Sequence, residues 1–509
     1  MALTTQQAEA YKSFLTENAD LFASDENSIV EPMSDASFKK GLECGSLSLS
    51  NLNYLLLGSF LNSSYAIKES KSFAKFDTVI DLRSFSSTLE KKYAIVGGYR
   101  TIGDGGGGLF HKIENDITTV DDSVIVFVDS DGTRWKRFNL EVITTKMAGC
   151  HIDSVSDDVT NLNNWFSAVR KYNATGYLST GRYSLQSPIV WNCGGNINGG
   201  SDRANGLTIT GAGQGAVILD FTSILATNPF KIDTNEEACF YWTIENFTVL
   251  ANTSATGFKV GDSDYTDQFN RFKFKNIEAK NLNSTSPTAV AFEATGLYNC
   301  EVDVVCNGGA SGQTATPQGT SMLIRRWAFC EAQLVAGNNK IGVDIQGSYS
   351  YGNKFKTIDI EEVDLGLLLS GDSLSKNSFD NGTIVAKTCI KSVVTNSHTN
   401  VIQDALNLAP YSGGIKFDPS FEAVEVRSNI NLLTTPAFPS SGQVVLNDQS
   451  QTATIYIYGG LITLVTFDGG TGGTMNVNTD QAFTIRLPVG NSIALTYTGS
   501  PGWLWKGGL

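Results

Sequence analysis

Two series of short apolar segments advance together between about residues 206 and 426, and this double periodicity limits the fold more than any other feature. The first series starts at Gly257 (GFKVG), Ala289 (AVAFE), Met322 (MLIRR), Gly342 (GVDIQG), Gly366 (GLLLSG) and Cys389 (CIKSV), in steps of 32, 33, 20, 24 and 23 residues. The second carries Asn-x-Phe/Ile at Asn270, Asn353, Asn377 and Asn400, with Asn299 in a similar slot; its last steps, 24 and 23, track the first. Alternating segments recurring at this interval are what successive coils of a parallel β-solenoid produce, each coil covering its neighbour. Asparagine at a fixed turn adopts the left-handed conformation readily and can bond up and down a ladder. Phe258, Phe292, Ile324 and Ile345 are expected to stack as one inward row. The expected fold is all-β: a single-stranded right-handed parallel β-helix with a small N-terminal module and a C-terminal antiparallel β domain. A propeller or a chain of sandwiches is the alternative, but hairpin signals such as Asn-Gly are sparse in this region.

The texture outside the repeat divides the rest of the chain. Residues 1–68 hold two helical apolar stripes, Ala8-Tyr11-Phe14-Leu15 and Leu49-Leu52-Leu56-Phe60, and are expected to form a stem or a particle-attachment segment. Residues 69–140 form a small β module with a Gly-rich motif, and 141–426 the β-helix with an N-terminal capping helix. Residues 427–509 alternate strongly and turn at Gly459-Gly460 and Asp468–Gly473, as an antiparallel domain for trimerisation or glycan binding would. Trp503 and Trp505 there are read as packing residues.

Thirty-seven basic residues against 51 acidic ones leave a net charge of −14, which disfavours nucleic acid and membrane insertion. A neutral glycan tolerates such a charge, whereas a strongly acidic one needs local Arg or Lys patches. The eight cysteines contain no C-x-x-C and the three histidines are far apart, so no metal or cofactor is expected and the thiols read as free and buried. MALTTQQAEAYKSFL lacks the basic and apolar regions of a secretory signal, and the apolar stretch at Tyr54–Leu57 is too short to span a bilayer.

Two segments carry a family resemblance. VGGYRTIGDGGGGLF (Val96–Phe110), closed by DGTRWKRF (Asp131–Phe138), has four glycines leading into another strand, so a phosphate-binding loop is ruled out. It resembles the small module just ahead of the β-helix in many phage tailspikes. DDVTNLNNWFSAVRKYNATGYLSTGRYSL (Asp157–Leu185) starts with Asp157 or Asp158 as helix cap, followed by an apolar face of Leu162, Trp165, Phe166 and Val169. It resembles the entry segment of the pectate-lyase-like β-helix superfamily, with Thr180 where that family usually has Pro. The resemblance implies a virion protein made in the host cytoplasm and a homotrimer. It also implies attachment to a phage tail or adaptor protein through the N-terminus, and a bacterial surface polysaccharide as partner.

Signatures of polygalacturonases, pectate lyases and Gly-x-Ser-x-Gly esterases are absent, leaving outward carboxylates as the candidate chemistry. Cys300–Val304 aligns with Cys330–Leu334, so alternation turns Cys300, Val302, Val304, Cys330, Ala332 and Leu334 inward. Glu301, Asp303 and Glu331 then project outward, with Asp359 and Glu361 expected in the same band. Strand geometry separates Glu301 from Asp303 by roughly 7 Å and from Glu331 by about 5 Å at Cα. Those values bracket the inverting and retaining arrangements of glycosidases. Packed acids are expected to raise one another's pKa, as a proton donor needs. Trp327, Tyr349 and Tyr351 are candidate sugar platforms, and Arg325 and Arg326 candidate partners for acidic or acetylated groups. The expected activity is endoglycosidic hydrolysis, with elimination by a lyase, or binding without cleavage, as alternatives.

Overall fold

The computed structural model describes residues 73–507, apart from 87–90, 139, 195–205, 236, 263–266, 284, 309–317, 348, 372, 395–399, 404, 419–423, 428–434, 450–451 and 469–472. The helical stem expected at 1–68 lies outside the described residues. The chain divides into two compact units: residues up to Cys150 with Asn164–Ala174, and His151–Asn163 with the chain from Thr175 onward. No helix among the described residues is long and apolar enough to cross a membrane.

In the first unit, strands β1 (Phe73–Thr78), β2 (Tyr93–Gly98), β3 (Gly108–Lys112), β4 (Val126–Val128) and β5 (Arg134–Arg137) form one sheet in the order β1-β2-β3-β5-β4. β2, β3, β5 and β4 run antiparallel, and β1 joins in parallel. The Gly-rich motif is a structural loop. The Asp104 carboxylate accepts from the backbone N–H groups of Tyr99, Arg100, Thr101 and Gly106 at 2.7–3.1 Å. A Cβ on Gly106 or Gly107 would lie 2.3 Å from a carbonyl oxygen, of Lys146 or Val96 respectively, so neither position admits a side chain. The buried Arg137 guanidinium donates to the carbonyls of Gly106, Gly107 and Val124, so the loop's backbone acceptors find partners inside.

Helix Val159–Tyr172 follows the expected pattern, with Leu162, Trp165, Phe166 and Val169 buried. Asp157 is the capping side chain, accepting from Val159 N at 3.2 Å. The Asp158 carboxylate turns instead to the backbone N–H groups of His151 and Ile152.

The second unit is a parallel β-helix whose strands pair coil on coil. One inward row runs Ile189, Phe230, Phe258, Phe292, Met322, Val343, Leu367, Ile390 and Phe417, all buried. Its phenylalanine rings stack at 5.0 Å (Phe230 to Phe258) and 5.1 Å (Phe258 to Phe292). Ile324 and Ile345, expected in this row, belong to the next one, with Val260, Ala294 and Leu369. A slip of two residues keeps every side chain on the same face, so alternation alone does not distinguish the two registers. A second inward row joins Ile209, Ile244, Phe274, Val302, Ala332, Phe355, Phe379 and Ile402. Fully burying one such side chain stabilises the fold by about 1.5–3 kcal/mol.

Between the sheets bearing these rows runs a corner whose backbone hydrogen bonds stack Trp242, Phe272, Cys300, Cys330, Asn353, Asn377 and Asn400, all buried. The residue before each of the first six is left-handed: Tyr241 (φ 64°), Arg271 (56°), Asn299 (54°), Phe329 (56°), Gly352 (68°) and Lys376 (57°). The asparagine series therefore occupies three slots. Asn299 takes the left-handed position, Asn270 precedes it, and only Asn353, Asn377 and Asn400 form the ladder. Asn353 Nδ2 donates to Asn377 Oδ1 (2.8 Å), and Asn377 Nδ2 to Asn400 Oδ1 (2.9 Å). All seven described cysteines are buried thiols.

Beyond the coils, residues 444–507 form two antiparallel sheets. One holds Val444–Leu446, Leu461–Phe467, Thr474–Thr479 and Ser492–Thr498; the other holds Ala453–Tyr458, Phe483–Leu487 and Gly502–Gly507. Gly459 and Gly460 carry the chain from one sheet to the other, so this turn does not close the hairpin the sequence suggests. Trp503 and Trp505 lie in the shared core.

Candidate functional site

The left-handed corner turns set out a ridge of side chains. Tyr241, Phe329 and Tyr349 are each more than half exposed, and Tyr351 is exposed beside them. Arg271 Nη1 donates to Tyr241 Oη at 2.7 Å, with its guanidinium 5.4 Å from that ring's centre. The Arg326 guanidinium stands 5.9 Å from the centre of the Tyr298 ring, and Phe329 meets Tyr351 edge to face at 5.0 Å. Backbone pairing continues the corner from Asn270 through Tyr298 and Ala328 to Tyr351. A Cβ at Gly352 would lie 2.8 Å from Phe329 Cδ1, so glycine lets that ring lie across the turn.

Immediately after the corner the first outward row reads Lys273, Glu301, Glu331 and Lys354. Glu301 and Glu331 face each other on adjacent coils, as expected, but lysines interleave with them. Glu301 accepts from Lys275 (2.7 Å) and Lys273 (3.3 Å), Glu331 pairs with Lys356, and Lys354 reaches Asp380 at 3.5 Å. The hydrogen bond from Lys275, against a smaller opposing effect of burial, holds the Glu301 carboxyl below the usual range. The expectation that packed acids raise one another is thus reversed at Glu301.

Asp303 lies opposite Gln333. A register shift after Ala332 inserts Lys356 and sets Asp359 opposite Val335, in a different row from Asp303 and Glu301. Its carboxylate accepts from Thr383 N at 2.9 Å.

Of the five expected substrate contacts, Arg326, Tyr349 and Tyr351 lie on the ridge. Trp327 does not: it is fully buried, donates from Nε1 to Ala294 O (3.0 Å) and stacks on Phe355. One residue inward from Arg326, it follows the alternation into the core. Arg325 turns to the far side of the corner, bonding Glu293 (2.7 Å) and Gln346 (2.9 Å). Gln346 in turn donates to Asp344, whose burial raises its pKa. Tyr241, Arg271, Tyr298 and Phe329 were not singled out from sequence; their signal is a position one or two residues before an inward corner residue.

Two further groupings lie apart from the ridge. Asp233, Asp262 and Asp267 converge, with the Lys231 ammonium between Asp233 and Asp262 at 2.6 Å from each, where a cation would otherwise sit. A shallow cavity of about 260 Å³ is lined by Asn339, Glu362, Val363, Asp364 and Tyr411, at a bulge where Glu362 is left-handed (φ 56°).

Fold and ridge together define a class: a parallel β-helix with a small β module before it, an antiparallel β domain after it, and an exposed aromatic–arginine corner. Residues 75–140 match the family model of the phage tail protein small four-stranded β-sheet domain. A stretch of 148 residues is 31% identical to the Mu-like prophage FluMu defective tail fiber protein of Haemophilus influenzae, covering 28% of this chain. The chain spans only 23% of that relative's length. Among solved structures, tailspike protein 2 from an Escherichia coli O157:H7 bacteriophage aligns at 13% identity and a TM-score of 0.38, over 88% of this chain and 73% of that one. The glycan biofilm modifying enzyme WceF of Pantoea stewartii, described as having a tailspike-like parallel β-helix fold, aligns at 12% and 0.32, over 85% and 70%. Tailspike gp49 of Acinetobacter baumannii bacteriophage Fri1, a capsular polysaccharide depolymerase, aligns at 12% and 0.27, over 85% and 97%. This chain carries a phage-tail module ahead of a parallel β-helix.

Proposed function

We propose that this chain is a tailspike, a homotrimeric virion protein that binds a bacterial surface polysaccharide along the corner ridge and cleaves it by endoglycosidic hydrolysis. The ridge carries this reading. Five aromatic rings and two arginines stand on consecutive coils, on turns fixed by the stacked, buried corner residues beneath them, and lie beside carboxylates. Aromatic faces pack against the C–H faces of sugar rings, and a platform built on a rigid solenoid loses little entropy when it binds. Glu301, kept ionised by Lys275 and Lys273, suits a base or a nucleophile. The proton donor is then Glu331, about 4.8 Å away at Cα on the next coil, or Asp303, two residues along the same strand. Asp359, off that row, is the outlying candidate. The segment 1–68 is the proposed attachment to the phage tail or an adaptor.

The lysines at Glu301, on the strand that follows Tyr298, also favour a second chemistry. Elimination from a uronic acid needs its carboxylate neutralised and a base at hand, and Lys273, Lys275 and Tyr298 offer both.

Replacing Tyr349 and Tyr351 together by Ala should weaken glycan binding at least about tenfold at a stability cost of only about 0.5–1.5 kcal/mol, that of the Phe329–Tyr351 ring contact. Unchanged affinity in that variant would move the binding surface off the ridge.

A further inference from the structure

We infer that the glycan read by this corner is anionic, a polysaccharide with carboxylate-bearing sugars in its repeat. The inference rests on the polysaccharide reading above and adds the charge class of the ligand. The chain as a whole carries 37 basic residues against 51 acidic ones. Along the ridge that balance inverts. The segments 268–275, 298–303, 326–333 and 349–356 contribute Arg271, Lys273, Lys275, Arg326, Lys354 and Lys356 against Glu301, Asp303 and Glu331. The coils on either side add Glu245, Lys376 and Asp380, which leaves the local excess positive. A positive strip on a strongly negative protein is the local patch that an acidic polymer requires, because the remaining surface repels it.

The arrangement of these cations adds a second argument. Glu301 is shared by two ammonium groups, so the ion pairs of this strip leave it with net positive charge. Arg271 and Arg326 lie against the rings of Tyr241 and Tyr298. Those contacts fix the plane of a guanidinium, and a fixed planar fork matches a carboxylate in bidentate fashion. Going up the corner, Tyr241, Arg271, Tyr298, Arg326 with Phe329, and Tyr351 succeed one another coil by coil, at about 4.8 Å per coil. A glycan lying along the corner thus meets apolar platforms and carboxylate-binding forks in alternation.

The full-length protein should be tested by calorimetry or surface binding against a panel of purified bacterial capsular polysaccharides, acidic and neutral. Any bound member would then be tested again after chemical reduction of its carboxyl groups to alcohols. The expected result is binding confined to acidic members, at least about tenfold weaker after reduction, and falling as salt rises from about 0.05 to 0.5 M. The Arg271→Gln/Arg326→Gln variant should lose most of that difference while keeping its melting temperature. Preference for neutral members, or equal affinity for native and reduced polymer, overturns the inference and leaves the polysaccharide reading standing. Binding of no member contradicts the polysaccharide reading and the inference with it.

Discussion

Asn377 uses every hydrogen-bonding atom of its amide inside the coil stack. Its Nδ2 donates to Asn400 Oδ1 and Ser350 O, and its Oδ1 accepts from both the backbone N–H and the Nδ2 of Asn353. Asn377→Ala leaves several buried polar groups unsatisfied, each costing about 1–3 kcal/mol, so a loss of at least about 3 kcal/mol is expected in denaturant titration. A loss under about 0.5 kcal/mol would mean that the ladder is not holding the coils. Gly352→Ala acts through different physics: the new methyl group collides with Phe329 and strains a left-handed backbone. Glycan affinity should fall along with stability. Asp104 supplies a pH test. Burial alone would raise its pKa, but four backbone N–H donors hold it below the ordinary value. Its contribution is therefore present above the unfolded Asp pKa of about 3.9 and lost as pH falls through the lower, folded value. Asp104→Asn should reduce stability near neutrality more than at about pH 2–3, and an equal loss at both would contradict this. At this scale the residue types were legible and their slots were not. Asparagine suits a left-handed turn and a buried ladder equally well, and one residue of offset separates Asn299 from the slot that Asn353 fills.

At the scale of strands, alternation correctly assigns the faces around Glu301 and Glu331, because a buried face tolerates no one-residue slip. Two features escape it. The phenylalanine row continues from Phe292 to Met322 and not to Ile324 two residues on, an offset that leaves the pattern of faces unchanged. The irregularity after Ala332 adds Lys356 to one strand and sets Asp359 opposite Val335, outside the rows of Glu331 and Asp303, and only the pairing partner reveals it. Ridge aromatics were hard to read for a related reason. Exposure at a corner depends on whether a residue stands just before the inward position or on it, so Trp327 and Phe329 look alike in sequence and face opposite ways. Their substitutions should therefore separate. Trp327→Ala removes a fully buried indole and should cost about 3–5 kcal/mol. Tyr349→Ala should stay within about 0.5 kcal/mol while weakening glycan binding. Similar stability losses for both, measured by thermal or chemical unfolding, would contradict the placement of the corner.

For the whole molecule, the double periodicity made the solenoid legible, since coils of 20–33 residues leave few other ways to bury two apolar series. The acid site was less legible. The lysines that neutralise Glu301 and Glu331 come from other coils, 25 to 28 residues away in sequence, and only coil register brings them together. A homotrimer is the proposed assembly, because parallel solenoids side by side cover flanks that each alone would expose. Light scattering at micromolar concentration should give about three times the chain mass. Cleavage by the carboxylates of this corner is the central claim, and the chain length of the polysaccharide tests it most directly. Purified protein incubated with a capsular polysaccharide it binds should shift the polymer to short oligosaccharides on size-exclusion chromatography. Glu301→Gln should bind that polymer and leave its length unchanged, because the amide keeps ground-state contacts but cannot act as base or nucleophile. A polymer that keeps its full length with the parent protein, or one that Glu301→Gln shortens at the parent rate, would contradict the account.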